Sequence, residues 1–333
     1  MTDEIKPAPS IWKRLKKNKL SFVAIGLLIF FIGVMFAAPW LAPPEQTCPS
    51  YIYYIFPDWL LSPFMKDIPC KPHEMPRDGF TTTPLPPNAA AWATFPPDWH
   101  LHPLGTTENR YDIWYGLVWG TRTALFAGAL IVLFSFVIGL LVGGMSGYFG
   151  GWVDAIAMRF VDFMLALPGF LVTLVLVSVI GRGLDKIILA SIIFGWTTYA
   201  RLIRGDILSV REREYIQATR ALGAGHARIL FQHIVPNMIY PALILASLDI
   251  GTVVLGLSAF SFLGLGSGEN YADWGQMIAL ARNRIAGVAG GSSLEFWYTY
   301  IFPGLAIFFF VLAWNLIGDT VRDILDPRQR GNR

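Results

Sequence analysis

Charged residues are scarce in this chain. Only 15% of its 333 residues are Asp, Glu, Lys or Arg, whereas 54% are hydrophobic. A soluble globular domain carries about 25% charged residues, so this composition excludes an ordinary soluble protein. It is typical of a chain that crosses a bilayer several times. We therefore expect a multi-pass protein of the cell (inner or plasma) membrane, in contact with lipid.

The sequence also lacks the elements of an enzyme. It contains no Gly-Lys pair, which a phosphate-binding Walker A loop requires. His73, His100 and His102 lie in a proline-rich stretch without the spacing of a helical zinc site. We interpret them as separate surface histidines. No catalytic residue, metal, bound cofactor or nucleic-acid partner is expected.

Cysteine is almost absent. The two cysteines, Cys48 and Cys70, lie in one segment, which the distribution of basic residues places outside the cytoplasm. That compartment is oxidising, so we expect a disulfide between them. Two buried free thiols are the alternative.

Long apolar runs dominate what is present, and six of them approach or exceed the ~20 residues that a helix needs to cross a bilayer. The predicted spans are Leu20–Leu41, Ala124–Met145, Phe163–Gly181, Ile187–Ile203, Met238–Gly266 and Phe296–Ile317. The first run could be a signal peptide. Because it is longer than the roughly 7–15 apolar residues of such signals, we interpret it as a retained helix.

Lysine and arginine predict the orientation. Most of the 26 basic residues fall on one side of the membrane if the N-terminus is cytoplasmic. The expected fold is an all-α membrane protein with six transmembrane helices, both termini cytoplasmic, and a proline-rich extracytoplasmic loop between helices 1 and 2. Its parts are a basic tail with the first helix (1–42), the extracytoplasmic loop (43–116), a core of five transmembrane helices (117–325) with a cytoplasmic loop (205–236), and a cytoplasmic tail (326–333).

Two residues inside the predicted spans are candidates for a translocation path. Pro168 predicts a kink in the third span, either a hinge or a static packing feature. Asp249 lies deep in the fifth span, where a carboxylate is costly unless it faces a polar cavity or a partner. It could line a path, or it could be paired with a hydroxyl group from another helix.

Residue spacing predicts two packing surfaces. Four glycines recur at intervals of four and predict close helix packing: Gly139, Gly143, Gly147 and Gly151. Four larger residues predict a short amphipathic helix outside the cytoplasm: Trp274, Met277, Ile278 and Ala281. We expect that helix to lie at the membrane interface, as a plug or a docking surface.

A charged segment interrupted by glycines, Glu214–Pro236, lies between two apolar spans. An insert this short cannot build its own core, so it must use another surface. Its first part is predicted to be a helix with Tyr215, Ala218 and Leu222 on one face. Gly223 is expected to end that helix.

A second short helix is predicted after Gly225. Its apolar face would comprise Ala227, Leu230, Phe231 and Ile234. We expect Pro236 to end it and the fifth span to begin there. Two such helices suit a groove on a partner protein, or they could lie on the membrane surface.

The segment resembles the EAA loop of binding-protein-dependent ABC importer permeases. Gln217-Ala218-Thr219 stands where the family has Glu-Ala-Ala, and Gly223, His233, Val235 and Pro236 keep the family's spacing. Further stretches resemble the C-type permeases of the dipeptide, oligopeptide and nickel group: His102–Thr106, Asn109–Asp112, Tyr148–Asp154, Tyr199–Arg204, His233–Asn237, Phe260–Gly266, Asp273–Gly275 and Gly318–Pro327. The similarity covers nearly the whole chain, although residues 43–100 form a longer segment than in typical members.

This resemblance implies a transport subunit without an ATPase site of its own. A paralogous permease would complete a heterodimer around the path. Two ATP-binding subunits would use ATP and Mg in the cytoplasm, and an extracytoplasmic binding protein would deliver substrate. The implied ATPase-coupling residues are Tyr215, Gln217, Ala218, Thr219, Arg220, Leu222 and Gly223. Di- and oligopeptides are the expected substrates, with oligosaccharides or nickel as alternatives.

Two other classes of protein fit the sequence less well. A secondary transporter would show inverted repeats and several paired intramembrane charges, whereas this chain has one deep acid and no evident repeat. A membrane enzyme would need a ligand set that the scattered histidines do not provide.

Overall fold

The computed structural model describes residues 19–45, 48–50, 52–61, 70–287, 292 and 294–325. The basic N-terminal tail and the tail at 326–333 lie outside the described residues. Within them the chain is helical, and three isolated β-bridges occur in place of strands. An all-α fold is therefore confirmed for this part of the chain.

Ten helices organise the described core. They are α1 (Lys19–Leu41), α2 (Ile113–Phe149), α3 (Gly151–Ala166), α4 (Gly169–Ile180), α5 (Leu184–Arg211), α6 (Glu214–Ala221), α7 (His226–Phe262), α8 (Trp274–Leu280), α9 (Arg282–Ile285) and α10 (Tyr298–Leu325). Five of them, α1, α2, α5, α7 and α10, are long and apolar enough to cross a membrane. The predicted spans 1, 2, 4, 5 and 6 each fall on one of these helices.

The third predicted span differs from expectation. Helices α3 and α4 meet at 85° and count as one span only if the bent pair is taken together. Leu167 is extended because the ring of a following proline disfavours helical geometry, and Pro168 then caps α4. The predicted bend at Pro168 is therefore present, but it is sharper than a kink because it separates two helices.

Glycines bring α2 and α5 into close contact. A Cβ atom at Gly143 would lie 2.3 Å from the carbonyl oxygen of Ala200, and one at Gly139 would lie 2.4 Å from Cβ of Tyr199. The predicted packing role is thus confirmed for this helix. It does not extend to Gly151, since α2 ends at Phe149 and Gly151 begins α3 in open space.

The extracytoplasmic segment predicted at 43–116 carries short helices and an aromatic core where it is described. Its helices are Ile52–Ile55, Asp58–Leu61, Ala89–Ala93 and Trp99–Leu101. The ring of Tyr115 packs on Trp99 and Trp119. Cys48 and Cys70 are joined by a disulfide that ties the early part of this segment to a later one.

Two of the three histidines are not at the surface, contrary to expectation. His73 is fully buried, with its ring against Trp119 and Tyr271. His102 is largely buried, and its Nδ1 lies 2.9 Å from Oδ2 of Asp112. The ring of His73 is buried by neighbouring aromatic rings and that of His102 by its contact with Asp112. The spacing of residues along the chain does not reveal such burial. His100 is exposed, as predicted.

The His102–Asp112 contact predicts a pH-dependent stability. The hydrogen bond to the Asp112 carboxylate raises the pKa of His102 above its ordinary 6.5. Protonated His102 therefore stabilises the fold fully below about pH 6.5, and this contribution is lost as pH rises through the raised pKa. His102 has φ +54°, which asparagine tolerates, so His102→Asn removes the charge without adding strain. When the pH is raised from 6 to 9, the unfolding temperature of wild type should fall by at least about 2 °C more than that of His102→Asn. Equal shifts would contradict the assignment.

Helix α8 packs between long helices of the bundle, while its position relative to the membrane interface stays a prediction. A Cβ atom at Gly275 would lie 2.3 Å from the carbonyl oxygen of Ser258 on α7. The indole of Trp274 donates a hydrogen bond to the carbonyl of Leu117 on α2, at 3.2 Å. Asp273 caps the helix by accepting from the amide of Gly275. Small residues and a buried cap thus let α8 wedge between long helices.

Candidate coupling loop and translocation cavities

Helix α6 is a short helix held to the bundle by one apolar side chain. Ile216 is its only buried residue among eight, and it belongs to a cluster with Ile207 and Ile234 from the flanking helices. Ile216 lies outside the apolar face that the sequence predicts for this helix, because no other apolar residue accompanies it on its own face. A single isoleucine within an otherwise polar helix is the pattern that indicates such an anchor.

The residues predicted to contact an ATPase point away from the bundle. Tyr215, Gln217, Ala218, Arg220, Leu222 and Gly223 are exposed, and Thr219 is half-buried with its hydroxyl donating to the carbonyl of Tyr215. Leu222 is 89% exposed. An apolar side chain of that size exposed next to a helix end favours contact with another protein.

Gly223 ends α6 as predicted. It has φ +83°, a conformation that other residues rarely adopt, and its amide donates to the carbonyl of Arg220. The turn at Gly223–Gly225 then reverses the chain into α7.

The second short helix was predicted incorrectly. Helix α7 continues from His226 to Phe262 through a π-helical turn at Ile229–Ile234, so Pro236 does not end it. The amide of Val235 donates to the carbonyl of Leu230, five residues back, and Pro236 follows in the first turn of regular α-helix, where a missing N–H is tolerated. This changes the buried face. It consists of Ile229 and Ile234, whereas Phe231 is 69% exposed.

Polar contacts tie the coupling loop to the end of α2. The hydroxyl of Tyr148 lies 2.8 Å from Nδ1 of His226, and Arg211 donates to the carbonyls of Gly147 and Tyr148. Nearby, Asp154 of α3 accepts two hydrogen bonds from Arg204, at 2.5 and 2.6 Å. Side-chain contacts thus join residues 205–236 to the end of α2, and a separate ion pair joins α3 to α5.

Asp249 is paired within the bundle. It accepts a hydrogen bond of 2.7 Å from the hydroxyl of Tyr199 on α5. Both residues line a cavity of about 130 Å³ together with Ser135 and Ser191. The hydroxyl oxygen of Ser135 is buried and has no hydrogen-bond partner among the described residues. Of the two interpretations left open, a partner hydroxyl is thus found, and the cavity itself is mainly apolar, with a few polar groups in its wall. Pro168 lies at the α3–α4 break.

A larger cavity of about 690 Å³ opens at the other end of α5, near the start of that helix. Arg182 and Arg282 line it, and neither guanidinium is paired within the part of the chain that the structure describes. Its two acids have partners: Glu108 lies 3.5 Å from Arg284, and Glu269 accepts from the amide of Asn109 at 2.9 Å. The guanidinium groups of Arg182 and Arg282 thus remain available to an anionic group. We call this cavity the vestibule.

Together these features define a multi-pass membrane protein with a short, exposed helix at one end of its bundle and a polar vestibule at the other. The chain belongs to the binding-protein-dependent transport system inner membrane components, which it matches over residues 135–331. Residues 7–63 match the N-terminal transmembrane domain of oligopeptide transport permease C. Members of this family are the membrane-spanning components of transport systems.

Individual relatives are similar over most of their length. The chain is 31% identical to a dipeptide transport system permease protein of Bacillus subtilis, over 96% of this chain and 85% of the relative. It is 38% identical to a glutathione transport system permease protein of Pectobacterium atrosepticum, over 68% and 73%. It is 40% identical to a nickel transport system permease protein of Escherichia coli, over 68% and 79%.

Proposed function

We propose that this chain is a permease subunit of an ATP-driven peptide importer, and that α6 with Leu222 and Gly223 is its contact with an ATP-binding subunit. The observation that carries the proposal is the exposure of six of the seven coupling residues on a helix anchored by Ile216 alone. Such a helix is free to dock on its outer face while its inner face transmits movement to the bundle.

The proposed complex contains three further kinds of subunit. A paralogous permease completes a heterodimer, and two ATP-binding subunits supply ATP hydrolysis with Mg. An extracytoplasmic binding protein hands substrate to the vestibule. Both termini and residues 205–236 face the cytoplasm in this arrangement, while residues 43–116 lie outside, as the distribution of basic residues favours.

The vestibule favours peptides over nickel among the substrates named for the relatives. Unpaired guanidinium groups bind carboxylates well and repel a divalent cation. Arg182 and Arg282 therefore suit a peptide's carboxylate. A volume of about 690 Å³ accommodates a small peptide.

Charge reversal in the vestibule tests the substrate class. With the purified complex and its binding protein in proteoliposomes, we expect ATP-dependent uptake of a labelled dipeptide and none of Ni²⁺. The Arg182→Glu, Arg282→Glu double variant should lower dipeptide uptake at least about tenfold, since each tenfold step costs only about 1.4 kcal/mol of interaction. Arg182→Lys with Arg282→Lys keeps the charges and should retain most uptake. Uptake of Ni²⁺ by wild type, or full dipeptide uptake by the Glu variant, would overturn the assignment.

We propose that Asp249 lines the translocation path at the cavity of about 130 Å³ that it shares with Tyr199. Asp249→Asn keeps an oxygen that accepts from Tyr199 but removes the negative charge. If the carboxylate serves the peptide's ammonium group, uptake should fall about tenfold. N-acetylated peptide should be affected less, provided the binding protein delivers it. A purely structural Asp249 would leave uptake of both peptides unchanged in Asp249→Asn.

A further inference from the structure

The outward face of α1 carries a stripe of exposed apolar residues along its second half. They recur at helical spacing: Ile29, Ile32, Phe36 and Trp40. Little of α1 is buried in the chain, and this stripe has the pattern of a lipid-facing surface. It ends at Trp40, one residue before the helix ends at Leu41.

The stripe continues onto the extracytoplasmic segment. The ring of Trp40 contacts the ring of Phe95 at a centroid distance of 5.5 Å, and Phe95 is 75% exposed. Phe95 follows directly after the short helix Ala89–Ala93 and Thr94. An aromatic residue of the loop thus lies at the level where α1 leaves the predicted membrane region.

A second aromatic contact fixes the same level from a different helix. The rings of Trp92 and Trp114 contact each other at 5.4 Å. Trp114 is in the first turn of α2, and its indole donates to the carbonyl of Leu41 at the end of α1. The indole of Trp92 donates to the carbonyl of Pro103, so half of its ring remains exposed with the N–H satisfied.

The surrounding sequence has the composition of a surface that contacts lipid. No charged residue occurs from position 79 to 97. Ala89, Ala90 and Ala93 are exposed on the short helix beside Trp92. Aromatic residues with apolar bodies and satisfied polar tips are enriched where proteins cross the membrane–water interface.

We infer that residues 89–95 lie in the outer interfacial layer of the bilayer, with Trp40, Trp92 and Phe95 as an aromatic patch embedded among lipids. The patch continues the lipid-facing stripe of α1 without a gap, which favours lipid over the binding protein as its occupant. The attachment holds the extracytoplasmic segment at a fixed height next to α1 and α2.

Spin-label accessibility tests this inference in the full complex in nanodiscs. The two native cysteines are joined in the disulfide, so a single introduced cysteine is labelled selectively. Spin labels are placed at Phe95→Cys and at the milder Ala93→Cys. Oxygen, which concentrates in lipid, should enhance the spin-relaxation rate of these labels at least about threefold more than a water-soluble nickel chelate does. Phe36→Cys gives the lipid reference. Asn283→Cys, exposed in the vestibule, gives the aqueous reference.

The outcomes separate lipid from its alternatives. If the labels at positions 93 and 95 both show the same accessibility to oxygen and to the nickel chelate as the label at Asn283→Cys, the inference is overturned. The patch would then lie in water. Loss of accessibility to both reagents when the binding protein is added would also overturn it, since the patch would be a protein contact. Ala93→Cys decides the question if Phe95→Cys does not assemble.

Discussion

Ala218→Glu should uncouple ATP hydrolysis from transport. Ala218 is exposed on α6, on the face that carries Tyr215 and precedes Leu222. A charged, longer side chain there would be forced into a desolvated protein contact, which costs several kcal/mol when the charge is left unpaired. We therefore expect substrate-stimulated ATP hydrolysis and peptide uptake to fall at least about 100-fold, a loss of about 2.7 kcal/mol. Both rates are measured on the same proteoliposomes.

The fold should tolerate this substitution, because the side chain of Ala218 is exposed. The variant chain should keep the wild-type unfolding temperature within about 2 °C. Ala286→Glu is the matched control, since Ala286 is an exposed alanine after α9, near the vestibule. Unchanged substrate-stimulated hydrolysis in Ala218→Glu would show that α6 is not the coupling contact.

Gly143→Val should prevent the chain from folding into a stable bundle. The new Cβ atom would lie 2.3 Å from the carbonyl oxygen of Ala200, and helix backbone cannot yield as a flexible side chain can. Overpacking a close contact costs about 1–3 kcal/mol and sometimes more. Because α2 and α5 form the central pair of the bundle, we expect at least a fivefold loss of folded, membrane-inserted protein. Size-exclusion chromatography after detergent extraction measures that yield.

Gly33→Val on α1 is the control for this experiment. A Cβ atom at Gly33 has no atom within 4 Å, so the same substitution meets open space. Its yield should equal that of wild type. Equal yields for Gly143→Val and Gly33→Val would contradict the close approach of α2 and α5.

The sequence was sufficient to predict elements whose cause is local. Apolar length predicts the five long helices, and glycine spacing predicts the α2–α5 contact at Gly139 and Gly143. Gly223 is predicted to end α6 because only glycine adopts its conformation readily. The coupling residues were identified by resemblance to a family, and their exposure agrees with that role.

The features that the sequence did not reveal depend on tertiary packing. The break at Pro168 is a full 85° turn, and the two short helices on either side of it both pack on α5. The π-helical turn before Pro236 allows α7 to continue where proline normally ends a helix. His73 and His102 are polar residues in a loop, and only tertiary contacts bury them.

Cross-linking from Leu222→Cys tests the central claim most directly. With both native cysteines in the disulfide, the introduced thiol at this exposed position is the only free thiol of this chain. In the assembled complex, a reagent that couples to this thiol through a maleimide and captures a neighbouring C–H bond through a photoactivated benzophenone should link Leu222→Cys to an ATP-binding subunit. The yield of this product should change between the ATP-bound and nucleotide-free states. Ala286→Cys should give no such product. Absence of a link from Leu222→Cys to the ATP-binding subunits, in a complex that still transports, would contradict the account.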